Sequence, residues 1–75
     1  ESIVIHEQSL SEINDFIITM PESLKTAFTM REVEGKSYEE ISEITQTPIG
    51  TVRSRIFRAR ESIIEYMRKE LIDNE

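Results

Sequence analysis

Residues 37 to 60 read SYEEISEITQTPIGTVRSRIFRAR, and two helix-start signals within that stretch set the fold. Ser37 followed by Glu40 is a capping box: the serine hydroxyl accepts from the third amide of a helix while the glutamate reaches back to the serine N–H. A short helix is expected behind it, carrying Ile41 and Ile44 and ending near Thr45. Gln46-Thr47-Pro48 then forms a turn, with Thr47 as the cap and Pro48 at the first position of the next helix. In that helix Ile49, Val52, Ile56, Ala59, Ile63 and Met67 recur at steps of three and four, up to about Leu71. Such a helix spans about 35 Å at roughly 1.5 Å per residue. A short capped helix, a tight turn and a longer helix bearing arginines follow the helix-turn-helix plan.

Upstream, Leu10, Ile13, Phe16 and Ile17 have helical spacing, predicting a helix over Ser9 to Thr19 that ends before Met20-Pro21, because the residue before proline disfavours helix. Pro21 suits the start of a second helix over Glu22 to Glu34, stopped by Gly35 in a left-handed conformation. Residues 1 to 8 combine a short β-branched run with charge and no helical period, so they read as a linker or tail before a domain over 9–75. The architecture expected is all-α, with four helices and a long C-terminal recognition helix.

The charge is unevenly placed. Of 75 residues, nine are Lys or Arg and fifteen are Asp or Glu, for a net charge of -6. Residues 1–48 hold three basic and ten acidic residues, and residues 61–75 hold two and five. Between them stand Arg53, Arg55, Arg58 and Arg60 without a single carboxylate. A positive stripe on a negative body is the footprint of a phosphate-binding surface, since local field decides the attraction.

On a helical wheel Gly50, Thr51, Ser54, Phe57 and Arg58 lie opposite the apolar stripe, and Arg53 and Arg55 flank them. None of Arg53, Arg55 and Arg58 has an acidic residue four positions earlier, the arrangement that would neutralise it within the helix. The stripe is either a solvated arginine face or a surface for phosphates and base edges. The capping pattern upstream favours the second. Phe57 on the polar face could serve a base step or a thymine methyl, or pack under the tail or a partner helix. Gly50 costs about 1 kcal/mol relative to Ala, so it points to close backbone approach, to a phosphate or to the preceding helix. Arg31, between Leu24, Ala27 and Phe28 on its wheel, either reaches a phosphate or pairs at the core edge with Glu34 or Glu43. Tyr38 and Glu39 sit where the first helix of such a motif meets the DNA backbone. For Tyr38, half-burial with a wet hydroxyl is the simpler state.

Composition narrows the function classes. There is no Cys and one His, which excludes disulfide frameworks, zinc ribbons and a thiol nucleophile. The longest apolar runs, Ile3-Val4-Ile5 and Phe16-Ile17-Ile18, are too short to cross a bilayer or form a signal-peptide core. No nucleophile–base pair or phosphate-cradling glycine loop appears, and His6 reads as a solvated residue, so no enzyme, metal, cofactor or small-molecule substrate is expected. A start at Glu1 instead of Met points to a piece of a longer protein or a processed product.

The stretch Gly35 to Ile41, followed by Thr47 to Glu61 with its GTVRSRIFRARE run, closely resembles region 4 of bacterial extracytoplasmic-function sigma factors, as does Met20-Pro21-Glu22-Ser23-Leu24 through Arg31-Glu32. The resemblance covers residues 20–63 and fades before Met20 and after Glu61. It implies a cytoplasmic, non-enzymatic domain that recognises the minus-35 promoter element in double-stranded DNA and docks on the β flap of RNA polymerase, with an anti-sigma factor as a further partner. Carried over to matching positions, it implies that Arg53, Ser54, Phe57 and Arg58 lie in the major groove. Arg31, Tyr38, Glu39 and Thr51 would support backbone or base contacts, with Arg55 and Arg60 less clearly placed. Two other readings fit a helical module of this kind: the output domain of a response regulator, against which the RSRIFRAR run argues, and a protein-binding module whose arginines meet an acidic partner.

Overall fold

The computed structural model describes the backbone from Glu7 to Ile72 and the side chains from Ser11 to Glu70. The described residues form four α-helices and no strand: α1 (Glu7–Thr19), α2 (Glu22–Glu32), α3 (Tyr38–Thr45) and α4 (Ile49–Tyr66), the last running on into a wider π-helical stretch, Met67–Ile72. Helix α1 starts two residues before the expected Ser9, taking Glu7 and Gln8 from the predicted tail. The rest of that tail, His6 included, lies outside the described residues.

Each helix ends where local chemistry offers its last carbonyls another partner. At the end of α1 the Met20 N–H donates to the Ile17 carbonyl at 3.1 Å, and Thr19 Oγ1 donates to the Phe16 carbonyl at 2.7 Å. Lys25 Nζ, from α2, donates to the Ile18 carbonyl at 3.3 Å, placing a cation at the negative end of the α1 dipole. Helix α2 stops at Glu32, two residues short of the sequence expectation. The Val33 and Glu34 N–H groups both donate to the Thr29 carbonyl, at 2.9 and 3.1 Å, and Lys36 N–H closes on Met30 at 3.0 Å. Gly35 makes that closure possible at φ +71, a conformation a Cβ disfavours.

Both halves of the predicted capping box are present: Glu40 N–H donates to Ser37 Oγ at 3.0 Å and Ser37 N–H donates to Glu40 Oε1 at 2.8 Å. The bond from the Ser37 backbone holds the Glu40 carboxyl below the ordinary glutamate range against the opposing effect of burial, with smaller help from the Ser37 hydroxyl and Lys36.

The turn between α3 and α4 is built differently from the sequence expectation. Gln46 takes a left-handed conformation, φ 56 and ψ 45, and its N–H donates to the Ser42 carbonyl, which also accepts from Thr47 N–H at 3.1 Å. Ser42 Oγ donates to the Thr47 carbonyl at 2.6 Å, and the Thr47 hydroxyl lies 2.8 Å from that of Thr45. Thr47 therefore bonds backward to α3 and does not cap α4. Pro48 stands at the cap, Ile49 is the first helical residue, and Pro48 accepts from the N–H groups of Thr51 and Val52 at 2.9 and 3.1 Å. Proline at this place loses nothing by lacking an N–H, because the first amides of a helix have no intrahelical acceptor.

The core is small and contiguous. Ala27 of α2, Ile41 of α3 and Val52 and Ile56 of α4 are buried together, with Met30 and Tyr38 packed against them. Ala59 of α4 and Met20 after α1 are also buried. The most extensive packing is between α2 and α4, then between α3 and α4. Small residues at Ala27 and Ala59 let the helix axes approach. Helix α1 joins at the far end, where Phe16 stacks on Tyr66 with centroids 4.6 Å apart and planes at 14°, a contact worth about 0.5–1.5 kcal/mol beyond its buried area.

Two stability changes follow. Gln46→Gly removes the left-handed penalty of a side chain and, after the added chain entropy of glycine, should stabilise the fold by about 0.5–1 kcal/mol in urea titration. The Glu40 carboxyl is lowered in the folded state, so its contribution is complete above the ordinary glutamate range and lost as pH falls through the lowered value. The stability difference between the wild type and Glu40→Gln should accordingly be constant near neutrality and shrink on acidification, as read by thermal midpoints from pH 7 down to about 3.

Candidate nucleic-acid interface

The phase of α4 decides which side chains reach outward. With Val52, Ile56 and Ala59 buried, Gly50, Arg53, Ser54, Phe57 and Arg58 are exposed, while Thr51 and Arg55 are half-buried at the edges. This matches the wheel read from the sequence except at Thr51, which the wheel placed outward and which lies half-buried at the edge. Phe57 is 63% exposed, so packing under the described part of the C-terminal stretch does not cover it. Ser54 Oγ donates to the Gly50 carbonyl at 3.0 Å and lies 3.4 Å from that of Thr51. Its hydroxyl proton is thus turned into the helix and its lone pairs face out.

Gly50 is fully helical in context, and a Cβ built on it would meet nothing within 4 Å. Close packing on α3 is therefore not its reason, and the space beside it is open to an approach from outside the chain. The N-terminus of α4 supports such an approach, since no side chain caps it.

The arginines differ sharply in what they touch. Arg60 is tied to α2: its Nε donates to Glu32 Oε2 at 3.0 Å and its Nη2 contacts the same oxygen. That hydrogen bond is the main reason its guanidinium is pushed further up, with the Glu32 charge and the Tyr38 hydroxyl adding to it and burial opposing it. Arg31 makes no ion pair with Glu34 or Glu43, one of the two arrangements its sequence position allowed. It is half-buried, donates from Nη1 to the Lys36 carbonyl at 2.9 Å and lies over the Tyr38 ring, 4.7 Å from Cζ to the centroid. It fastens the end of α2 to the loop before α3, a role invisible in the sequence because it depends on where Gly35 turns the chain. Arg53 leans on the same ring at 5.5 Å. Among the described residues Arg53, Arg55 and Arg58 form no ion pair and no hydrogen bond within the chain, in keeping with the missing carboxylates four positions earlier.

Tyr38, at the first position of α3, is half-buried and packed on the core. Glu39 beside it is exposed. The structure thus brings Arg31, Tyr38 and Arg53 together and places Ser54, Phe57 and Arg58 along one outward face, with Thr51 half-buried at its edge. Glu32, which sequence reasoning passed over, selects among the arginines by neutralising Arg60. Its only sequence signal is a position at the end of α2, 28 residues from its partner. A surface with guanidinium groups free of ion pairs among the described residues, an exposed aromatic ring and an uncapped helix start can take up phosphates and base edges. No group of His, Cys, Asp and Glu among the described residues could hold a metal, and none of the described helices is long and apolar enough to cross a membrane.

Comparison with known proteins gives a consistent result. The family model described as Sigma-70, region 4 matches residues 10–63. The ECF RNA polymerase sigma-E factor of Haemophilus influenzae is 67% identical over 49 residues, which cover 65% of this chain and 26% of that protein. The RNA polymerase sigma-H factor of Pseudomonas aeruginosa is 49% identical over 63 residues, covering 84% of this chain and 33% of that protein. The sigma-E factor of Escherichia coli K12 matches to the same extent, 49% over 63 residues. The chain thus spans about a third or less of the length of these curated relatives.

The tie between Arg31 and the Lys36 carbonyl has a direct test. Arg31→Ala should cost about 1–2 kcal/mol in denaturant unfolding, within the range for a hydrogen bond from a charged donor. Arg31→Lys should recover only part of the loss, because an ammonium lacks the planar stack on Tyr38.

Proposed function

Because the chain belongs to the sigma-70 region 4 family, we propose that its helix-turn-helix reads the minus-35 promoter element with α4 in the major groove, and that the domain docks on the β flap of RNA polymerase to place the enzyme for initiation. It acts in the cytoplasm and carries out no chemistry of its own. The observation that carries this reading is the outward face of α4, where Arg53, Ser54, Phe57 and Arg58 are exposed together without an internal ion pair.

The roles divide by geometry. Arg58 and Arg53 supply bidentate donors for guanine edges, Ser54 offers lone pairs to an amino group, and Phe57 offers an apolar plane to a thymine methyl. Thr51 and the open amides at the start of α4 face the phosphate backbone at the near edge of the groove. Tyr38 and Glu39 flank the backbone from α3. Arg55, half-buried on the other edge, contributes charge more than base reading. Arg31 is held by Lys36 and adds field from behind the surface.

With net charge -6, the domain is repelled by DNA everywhere except at this stripe, so useful affinity depends on the polymerase holding it in place. The relatives whose printed names read ECF RNA polymerase sigma-E factor fit that dependence. An anti-sigma factor that covers the arginine face or Phe57 would switch the domain off, and the exposure of Phe57 suits such masking.

Anisotropy titration of promoter-duplex libraries, with and without polymerase core, tests the reading. Arg58→Ala should weaken binding to the preferred duplex by about 1–3 kcal/mol and relax preference at one base pair. Arg60→Ala, which removes an arginine already paired, should change affinity far less and leave base preference intact. Equal losses from the two substitutions, or no preference among duplexes for the wild type bound to polymerase, would overturn the assignment.

A further inference from the structure

Tyr38 is surrounded in a way that a simple flanking contact does not explain. It begins α3, and its ring is fixed by packing against the Ala27, Ile41, Val52 and Ile56 core. Arg31 from α2 and Arg53 from α4 both lie over that ring, with Cζ atoms 4.7 and 5.5 Å from its centroid. The negative face of an aromatic ring attracts a guanidinium, and a planar guanidinium can lie along it while its N–H edge points elsewhere. Arg31 has its Nη1 engaged by the Lys36 carbonyl. Arg53 has no hydrogen bond or ion pair to the chain among the described residues, so the ring is what orders it.

We propose that Tyr38 is a positioning residue for Arg53, holding its guanidinium against the ring so that the N–H edge is presented outward from α4 before a partner arrives. The proposal rests on the reading of α4 as the helix that contacts DNA. An exposed arginine samples many rotamers, and ordering them on binding lowers affinity. An aromatic rest whose own position is set by the core narrows that sampling in advance. Arg31 over the same ring does not help hold Arg53, since like charges repel, but it adds a second positive charge to the field an anion meets there. The ring links the core to the reading surface: the residues that bury Tyr38 also aim Arg53.

The test compares Tyr38→Phe, which keeps the ring, with Tyr38→Leu, which keeps apolar bulk and removes the π face. The probe is a duplex selected from a randomised pool by the wild-type 75-residue chain bound to polymerase core, and every variant is measured in that complex. Tyr38→Phe should keep the base preference of the wild type, any lost hydroxyl–phosphate contact weakening all duplexes alike. Tyr38→Leu should bind about two- to fivefold more weakly, the change that an exposed cation–π contact carries. It should also lose discrimination at the same base pair as Arg53→Ala, and it should add nothing in the Arg53→Ala background. An equal loss in both backgrounds would make Tyr38 a packing residue only and overturn the proposal, as would wild-type behaviour of Tyr38→Leu beside a weakened Arg53→Ala. Should Arg53→Ala bind every duplex as the wild type does, the reading of α4 fails and the proposal falls with it. A measurement free of DNA separates the two: the Arg53 Nε–H proton should be shifted upfield by the Tyr38 ring current in the wild type and in Tyr38→Phe. An unshifted resonance in the wild type would overturn the positioning role whatever the duplexes show.

Discussion

The burial of Val52 and Ile56 of α4 against Ile41 of α3 and Ala27 of α2 fixes everything else about this protein, because it sets the rotation of α4 about its own axis. A helix turns about 100° per residue, so a slip of one position would carry Arg53 or Phe57 into the core and the apolar stripe into water. Burying the Arg53 charge there without a partner costs more than this small core could absorb. The core therefore selects one phase, and that phase presents Arg53, Ser54, Phe57 and Arg58 as a set. The outward arginine face and the hydrophobic core are two sides of the same helix.

The turn before α4 serves the same constraint. Left-handed Gln46, the doubly accepting Ser42 carbonyl and the contact between the Thr45 and Thr47 hydroxyls make a connection that fixes the angle between α3 and α4. A non-glycine residue in that conformation is strained. The strain is tolerated because Ser42 and Thr47 satisfy the surrounding backbone groups. The capping box at Ser37 and Glu40 fixes the other end of α3, so both ends of this short helix are held by named hydrogen bonds.

Electrostatics then sorts side chains that look alike in one dimension. Arg60 is paired with Glu32, Arg31 is fastened to a carbonyl, Arg53 leans on Tyr38 and Arg58 stands exposed. A surface ion pair such as that of Arg60 adds little stability, at most about 1 kcal/mol. Its larger effect is to withdraw one guanidinium from competition for an anion. The positive field is thereby concentrated on the outward face of α4, against a chain whose net charge is -6.

Much of this was legible in the amino-acid order alone, for a physical reason: caps and helical periods are local, set by atoms a few residues apart. Ser37 with Glu40, Pro21, Pro48 and Gly35 place the helices to within about two residues, and the spacing of Val52, Ile56 and Ala59 orients the arginine face. The resemblance of residues 20–63 to sigma region 4 agreed with the family model over residues 10–63. What the order could not reveal depends on how the chain turns between helices and how the helices pack. The pairing of Arg60 with Glu32, the fastening of Arg31 to Lys36, the return of Thr47 toward α3 and the open space beside Gly50 became visible only once the helices were packed. Local hydrogen bonds dictate where helices begin and end, whereas the partner of a long flexible side chain is decided by which surfaces the core brings within its reach.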